Sequence, residues 1–185
     1  NKDLMWRNKL VVVKKRTRRD LSEYISEATS IFSLPPMLNH EDLLRWSFRA
    51  WPMDKKDEIA NYFWNAADIG TLQEYMETKK PYLSVAQVRS LLDEGFEIGS
   101  HSMSHPNFSR LSYEEFEQEI MAWVELLQTT FQEQINSFSY PFGVKANGQF
   151  EQRLIATQPH IKTFLGTKIR LDNHLNCLQW ERDNL

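Results

Sequence analysis

Phe96-Glu-Ile-Gly-Ser-His101-Ser-Met-Ser-His105-Pro106 is the stretch that decides how this chain is read. A short apolar run reaches a glycine, and two histidines four residues apart follow it beside a proline. Side chains alternate along an extended strand, so His101, Met103 and His105 would share one side if the strand continued. A turn at Ser104-His105-Pro106 would then bring both imidazoles onto one ion. Neutral imidazoles suit zinc and similar borderline metals, and a catalytic zinc takes three protein ligands plus an open position. The pair is therefore half of a site, and a third ligand is owed. Taken without its flanks, the same spacing is better read as two ordinary loop histidines, and it is the context that reverses that reading.

The flanks supply an α/β pattern. Upstream, Ser84-Val-Ala-Gln87 is a capping box, and Val88, Leu91 and Leu92 follow on one side of the helix that it opens. Gly95 closes that helix, because a glycine accepts the left-handed backbone just past a helix end. Phe96-Glu-Ile98 starts a strand, and Gly99 permits close backbone approach. Downstream, Ser112-Tyr-Glu-Glu115 is a second capping box. It opens a helix with Phe116, Ile120, Trp123, Val124, Leu127 and Phe131 at helical spacing, a core-facing stripe. Residues 135–140 read as the next strand, which ends in the turn Pro141-Phe-Gly143. A further helix closes over Leu154 to Thr157, and a short strand is expected from Thr163 to Leu165. Alternation of this kind predicts a parallel sheet in which 96–101 and 135–140 are neighbours, flanked by the helices from Ser84 and Ser112. Ligand sites then lie at the carboxyl ends of the strands, where both motifs fall.

Before Pro81 the pattern is helical: Leu4 to Lys15, Leu21 to Phe32, Glu41 to Ala50, Lys55 to Ala67 and Thr71 to Thr78, punctuated by Pro35-Pro36, Pro52 and Gly70. Val11-Val-Val13 competes as a strand signal but sits within a helix-length pattern. The segment is rich in aromatic residues, which either fill a helical core or, through Trp46, Trp51 or Trp64, stack on sugar rings.

At 185 residues, 41% hydrophobic and 12% aromatic, the chain can bury a core and is read as one domain, with a helical segment over 1–80 and an α/β portion over 81–185. A net charge of −3 gives no general attraction to nucleic acid or anionic membrane. Lys14-Lys-Arg-Thr-Arg-Arg19 is a local basic run, read as a solvated helix end. The single Cys177 excludes an internal disulfide and a thiolate zinc cluster. No run approaches the ~20 apolar residues of a membrane span, and no signal peptide is visible. Compartment and oligomeric state stay open.

His101-Ser102-Met103-Ser104-His105, followed by Leu111-Ser-Tyr-Glu-Glu-Phe-Glu-Gln-Glu-Ile120 and Phe138-Ser-Tyr-Pro-Phe-Gly143, resembles the polysaccharide deacetylase family, also called the NodB-homology or carbohydrate esterase family 4 fold. The resemblance covers roughly residues 82–150, and its centre is the family's H-[ST]-x-[ST]-H metal motif. It implies an α/β chain forming part of a barrel-like (β/α) fold, with residues 1–80 as a helical insertion packed on the barrel. It also implies metal-dependent deacetylation of an N- or O-acetylated polysaccharide or oligosaccharide. In that reading His101 and His105 hold a divalent metal, zinc. The backbone N–H of Phe142 holds the oxyanion, and Tyr140, Pro141 and Trp180 line the substrate cleft, with Arg182 as an alternative to Trp180. The family's general acid is a histidine near the C-terminus, for which His174 is the counterpart and His160 the second candidate.

The chain also departs from the family. Relatives carry a Thr-Phe-Asp-Asp-Gly motif on a first strand, which supplies the base and the third metal ligand, and this chain has no Asp-Asp pair. Its early acidic groups, such as Asp54, Asp57 and Glu58, fall in helical patterns. Either the chain is a piece of a longer protein or the catalytic acid has been lost. Many relatives place an arginine where Ser139 stands here. Two alternatives therefore remain beside deacetylation: a catalytically impaired carbohydrate-binding protein on the same scaffold, and a same-fold hydrolase of non-peptide C–N bonds in a small molecule.

Overall fold

The computed structural model describes residues 3–166 and 178–181, with backbone only for 178–181. Within them the chain divides into two units, Asn1–Leu83 and Ser84–Leu185.

The first unit is helical: α1 (Trp6–Arg16), α2 (Ser22–Ile31), α3 (Leu43–Ala50), α4 (Lys56–Ala66) and α5 (Leu72–Lys79). Trp6, Lys9, Leu10 and Val13 are buried on α1 at i, i+3, i+4 and i+7, a helical face that overrides the strand preference of the valine run. Trp46, Trp51 and Phe63 form the centre, each fully buried, with Trp51 stacked on Phe63 at 5.8 Å and edge-on to Trp46 at 5.7 Å. Trp64 is 3% exposed. The indole N–H groups of Trp46 and Trp64 donate to Pro35 O (2.8 Å) and Gly70 O (3.0 Å). The aromatic wealth of this segment is thus core, and these three tryptophans present no face for a sugar. The ammonium of the fully buried Lys9 donates to Asp3 Oδ2 at 2.8 Å and Asn61 Oδ1 at 2.6 Å, the pairing a buried charge requires.

Before α3, Glu41 accepts a two-pronged bond from Arg49, Nε–H at 2.6 Å and Nη2–H at 2.7 Å. That guanidinium holds the Glu41 carboxyl down to about 2 from its ordinary 4.5, and the Leu38 amide adds to the effect. A depressed folded-state pKa contributes stability that is full above 4.5 and is lost as the pH falls toward 2. Glu41→Gln should therefore flatten the acid limb of the first unit's stability over that window, read as denaturation midpoint against pH. A limb as steep as wild type would show that Glu41 does not carry it.

The second unit contains α6 (Val85–Asp93), α7 (Tyr113–Phe131), β1 (Ser137–Ser139), α8 (Gly148–Thr157), β2 (Thr163–Gly166) and β3 (Leu178–Glu181). Both expected capping boxes form, Ser84 with Gln87 and Ser112 with Glu115. Gly95 takes a φ of +91° past α6. The sheet runs β1-β2-β3, parallel throughout, with Phe138 opposite Phe164. On the other edge of β1, Ser100 forms a parallel bridge with Phe138 through Ser100 N–H to Ser137 O (2.8 Å) and Ser139 N–H to Ser100 O (2.9 Å). Phe108, Phe116, Ile120, Val124, Ile135, Phe138, Tyr140, Leu154 and Phe164 make one core, so α7 and α8 cover the sheet, α7 with Phe116, Ile120 and Val124 of the stripe read from the sequence, while Trp123 of that stripe falls outside this core.

The structure corrects one expectation here. The strand expected from Phe96 shrinks to the bridge at Ser100, and Phe96 is exposed. β1 is only three residues long, and its first residue already lies against Gly99 and Ser100, so the residues before Gly99 overrun its start. At Gly99 a Cβ would stand 2.4 Å from Ser137 Oγ and 3.1 Å from Ser137 O, so the glycine lets the two segments approach closely without displacing the Ser137 hydroxyl. The class is α/β, mostly helical with a small parallel sheet, and the described residues do not close a barrel.

Candidate active site

Past Ser100 the chain leaves the sheet instead of continuing the alternation. Ser102 at φ +70° and His105 at φ +56° both take the left-handed backbone, unusual for residues with a Cβ. This double reversal leaves Met103 exposed and folds the two imidazoles toward each other, with ring centroids 5.0 Å apart and planes at 72°. Two devices hold the turn, one local and one from a distant helix. The His105 N–H donates to Ser102 Oγ at 3.1 Å. From α7, the Glu119 carboxylate accepts from Met103 N–H (3.0 Å), Ser104 N–H (2.8 Å) and the Ser104 hydroxyl (2.5 Å).

Ser139, at the end of β1, orients the first ring. His101 Nδ1 lies 2.7 Å from both the carbonyl and the hydroxyl of Ser139. A carbonyl can only accept, so the Nδ1 proton is held there and the lone pair falls on Nε2, the tautomer that suits a metal-ligating imidazole with a carbonyl behind it. Ser139 thus gives the site a contact that the expected arginine position did not suggest.

The second wall is the turn after β1. Tyr140 N–H donates to Leu165 O at 2.8 Å, and Gly143 N–H returns to Tyr140 O at 3.0 Å, fixing the 3-10 turn Pro141–Gly143. Inside it Phe142 takes φ +60° and sets its ring edge-on to His105, centroids 4.6 Å apart. Tyr140 and Pro141, read from the sequence as cleft residues, are both buried. Successive strand residues face opposite sides, and the Tyr140 ring takes the core side. There its hydroxyl donates to the equally buried carboxylate of Glu151 on α8 at 2.6 Å. Tyr140 therefore positions the turn from beneath. Tyr140→Phe removes a donor from a buried carboxylate and should cost ~1–3 kcal/mol of stability by urea denaturation. A midpoint equal to wild type would mean that the bond contributes nothing.

Two imidazoles, one with its far nitrogen tied to a carbonyl, fit two corners of a metal site. Among the described residues no group of three His, Cys, Asp or Glu could hold an ion, so the third corner is not supplied by them. His160 precedes β2, at the opposite end of the parallel sheet from the Pro141 turn. His174 and Arg182 lie outside the described residues, and Trp180 is described only as backbone in β3. Sequence reasoning missed Glu119, Ser139 and Glu151. An acidic residue on the helix after the histidine turn was a faint signal for the first, Ser139 was noted only as standing where many relatives have an arginine, and nothing in the sequence singled out Glu151.

Histidines and a strained turn gathered at the carboxyl ends of parallel strands stand where α/β enzymes place their chemistry. The chain belongs to the polysaccharide deacetylase family, whose model matches residues 53–157, more than half of its length. The chain is thus a hydrolase of the kind that acts on carbon–nitrogen bonds other than peptide bonds. The match takes in α4 and α5, upstream of where the motif resemblance begins. Among solved structures, the Streptococcus pyogenes deacetylase PplD in complex with acetate is similar at a TM-score of 0.47 and 14% identity, covering 96% of this chain and 79% of that one. The GH57-type branching enzyme from the hyperthermophilic archaeon Pyrococcus horikoshii gives 0.36 and 14%, covering 86% and 34%. No curated protein matches. No described helix is long and apolar enough to cross a membrane.

Proposed function

We propose that the protein carrying this chain removes acetyl groups from an N- or O-acetylated carbohydrate, with His101 and His105 as two ligands of a divalent metal, zinc. The observation that carries this reading is the apposition of the two imidazoles beside the Phe142 turn. When bound, such a metal supplies a Lewis acid and brings the pKa of water toward ~7. The chain's own residues do the rest. Ser139 fixes the ring and tautomer of His101, and Ser102 and Glu119 fix the turn that carries His105. Phe142 offers its backbone N–H to the developing oxyanion, a kind of contact whose loss costs ~3 kcal/mol of barrier. Pro141 and Gly143 hold that residue in its left-handed conformation, while Tyr140 and Glu151 anchor the turn from the core. His174 is the proposed general acid and Trp180 the proposed cleft aromatic.

A second reading is a glycan-binding protein on this scaffold, and it is favoured by the lack of a third metal-ligating residue beside the histidines among those described. One experiment separates the readings: acetate release across a panel of N- and O-acetylated glycans and small acetamides, with and without added zinc and with chelator. Chelator-sensitive release from glycans supports the proposal. Glycan binding without release supports the second reading, and release from small acetamides alone moves the substrate to a small molecule.

A further inference from the structure

We infer that Glu119 is the positioning residue that keeps His101 and His105 paired. The inference rests on reading the two histidines as one ligand pair, and its observation is separate from theirs. The turn between them contains two non-glycine residues in the left-handed region, Ser102 and His105, and such conformations persist only where the surroundings over-determine them. The Ser102 hydroxyl is local to the turn and moves with it. Glu119 is not local. It projects from the nineteen-residue α7, whose Phe116, Ile120 and Val124 are fully buried, so its backbone is fixed by the core.

From that fixed base one carboxylate accepts three hydrogen bonds from two consecutive residues, Met103 and Ser104. Bonds to an ionised acceptor are roughly twice as strong as neutral ones, and all three pull on the segment that separates the histidines. The N-terminal end of that segment is tied elsewhere: Ser100 is bridged to β1 and His101 is bonded to Ser139. The Glu119 carboxylate is thus the long-range tie on Ser104, and on Met103 it adds to the bond that the same amide makes to the Glu119 backbone carbonyl at 3.0 Å. Released from it, Ser102 and His105 would relax toward ordinary φ values, and His105 would swing away from both His101 and the Phe142 ring.

The test uses metal-free protein first. In wild type, ring protons of His101 and His105 should show a nuclear Overhauser contact, as centroids 5.0 Å apart require, and the Met103 and Ser104 amides should be protected from exchange. Glu119→Ala should abolish the ring contact and lower protection of the Ser104 amide by about tenfold or more, with unchanged far-ultraviolet circular dichroism, while the Met103 amide keeps its bond to the Glu119 backbone carbonyl at 3.0 Å. Glu119→Gln keeps an oxygen acceptor and should restore the contact. Zinc titrated into the same proteins should bind ~10–100-fold more weakly to the alanine variant, the range for residues that orient metal ligands. An intact ring contact and intact protection in Glu119→Ala would overturn the inference whatever the metal does. If wild type binds no zinc yet the ring contact is lost in Glu119→Ala, positioning stands and the metal reading falls. Should the alanine variant fail to fold, Ser104→Ala, which removes only the hydroxyl bond, decides: a weakened ring contact supports the inference and an unchanged one overturns it.

Discussion

Replacing His101 or His105 by alanine is expected to lower acetate release by ~10³-fold or more, since each ring would hold the ion on which both the Lewis acidity and the nucleophile depend. The loss should appear in kcat and survive saturating substrate, because neither ring is proposed to bind the sugar. His105→Ala alone is ambiguous, as alanine resists the φ of +56° that His105 adopts. His105→Asn removes the imidazole from a residue type that tolerates that backbone. Equal loss in the alanine and asparagine variants, with unchanged circular dichroism, assigns the effect to the ring. Recovery in His105→Asn would assign it to the turn. For His101→Ala the paired control is Ser139→Ala, which leaves the Ser139 carbonyl to hold the Nδ1 proton and should cost far less. A His101→Ala variant with near-normal release would end the proposed role for the pair.

What could be read in advance depended on whether a feature is fixed by its neighbours along the chain. Capping boxes are local, and those at Ser84 and Ser112 form as read, with reciprocal bonds. A third, Thr71 with Glu74, forms at a helix start that was read without its cap. The α7 stripe and the parallel pairing of the Ser100 segment with β1 also follow from local periodicity and alternation. Strand lengths do not, because a strand ends where its partner ends, as at Phe96. β3 was not assigned, although Leu178-Gln-Trp-Glu181 alternates apolar and polar residues at the period of a strand.

The site was legible as residue types and illegible as shape. His101 and His105 announce themselves by spacing, yet the apposition arises from positive φ at Ser102, His105 and Phe142, none of them a glycine. Only tertiary contacts from Glu119, Ser139 and the core beneath Tyr140 make such backbone tolerable, and those partners lie 11 to 38 positions away in sequence. Tyr140 shows the same limit just past the strand, where its ring joins Phe138 on the core side and its hydroxyl meets Glu151 on α8.

Trp51→Ala is expected to destabilise the first unit by ~3–5 kcal/mol, the range for truncating a large buried aromatic. Trp51 is fully buried and packs on Trp6, Trp46 and Phe63 at centroid separations of 5.7 to 6.1 Å, so the cavity would be walled by rings that cannot collapse into it without losing their own edge and stacking contacts. Trp51→Phe keeps much of the volume and should cost less. The same pair of variants tests whether the tryptophans of this unit handle sugar. Core packing predicts a large fall in denaturation midpoint and, for the protein that remains folded, an unchanged KM for acetylated glycan. Sugar stacking predicts the reverse, a raised KM with stability nearly intact, and would require an indole face in solvent. With Trp46 and Trp51 fully buried and Trp64 at 3% exposure, the first outcome is the one the packing demands.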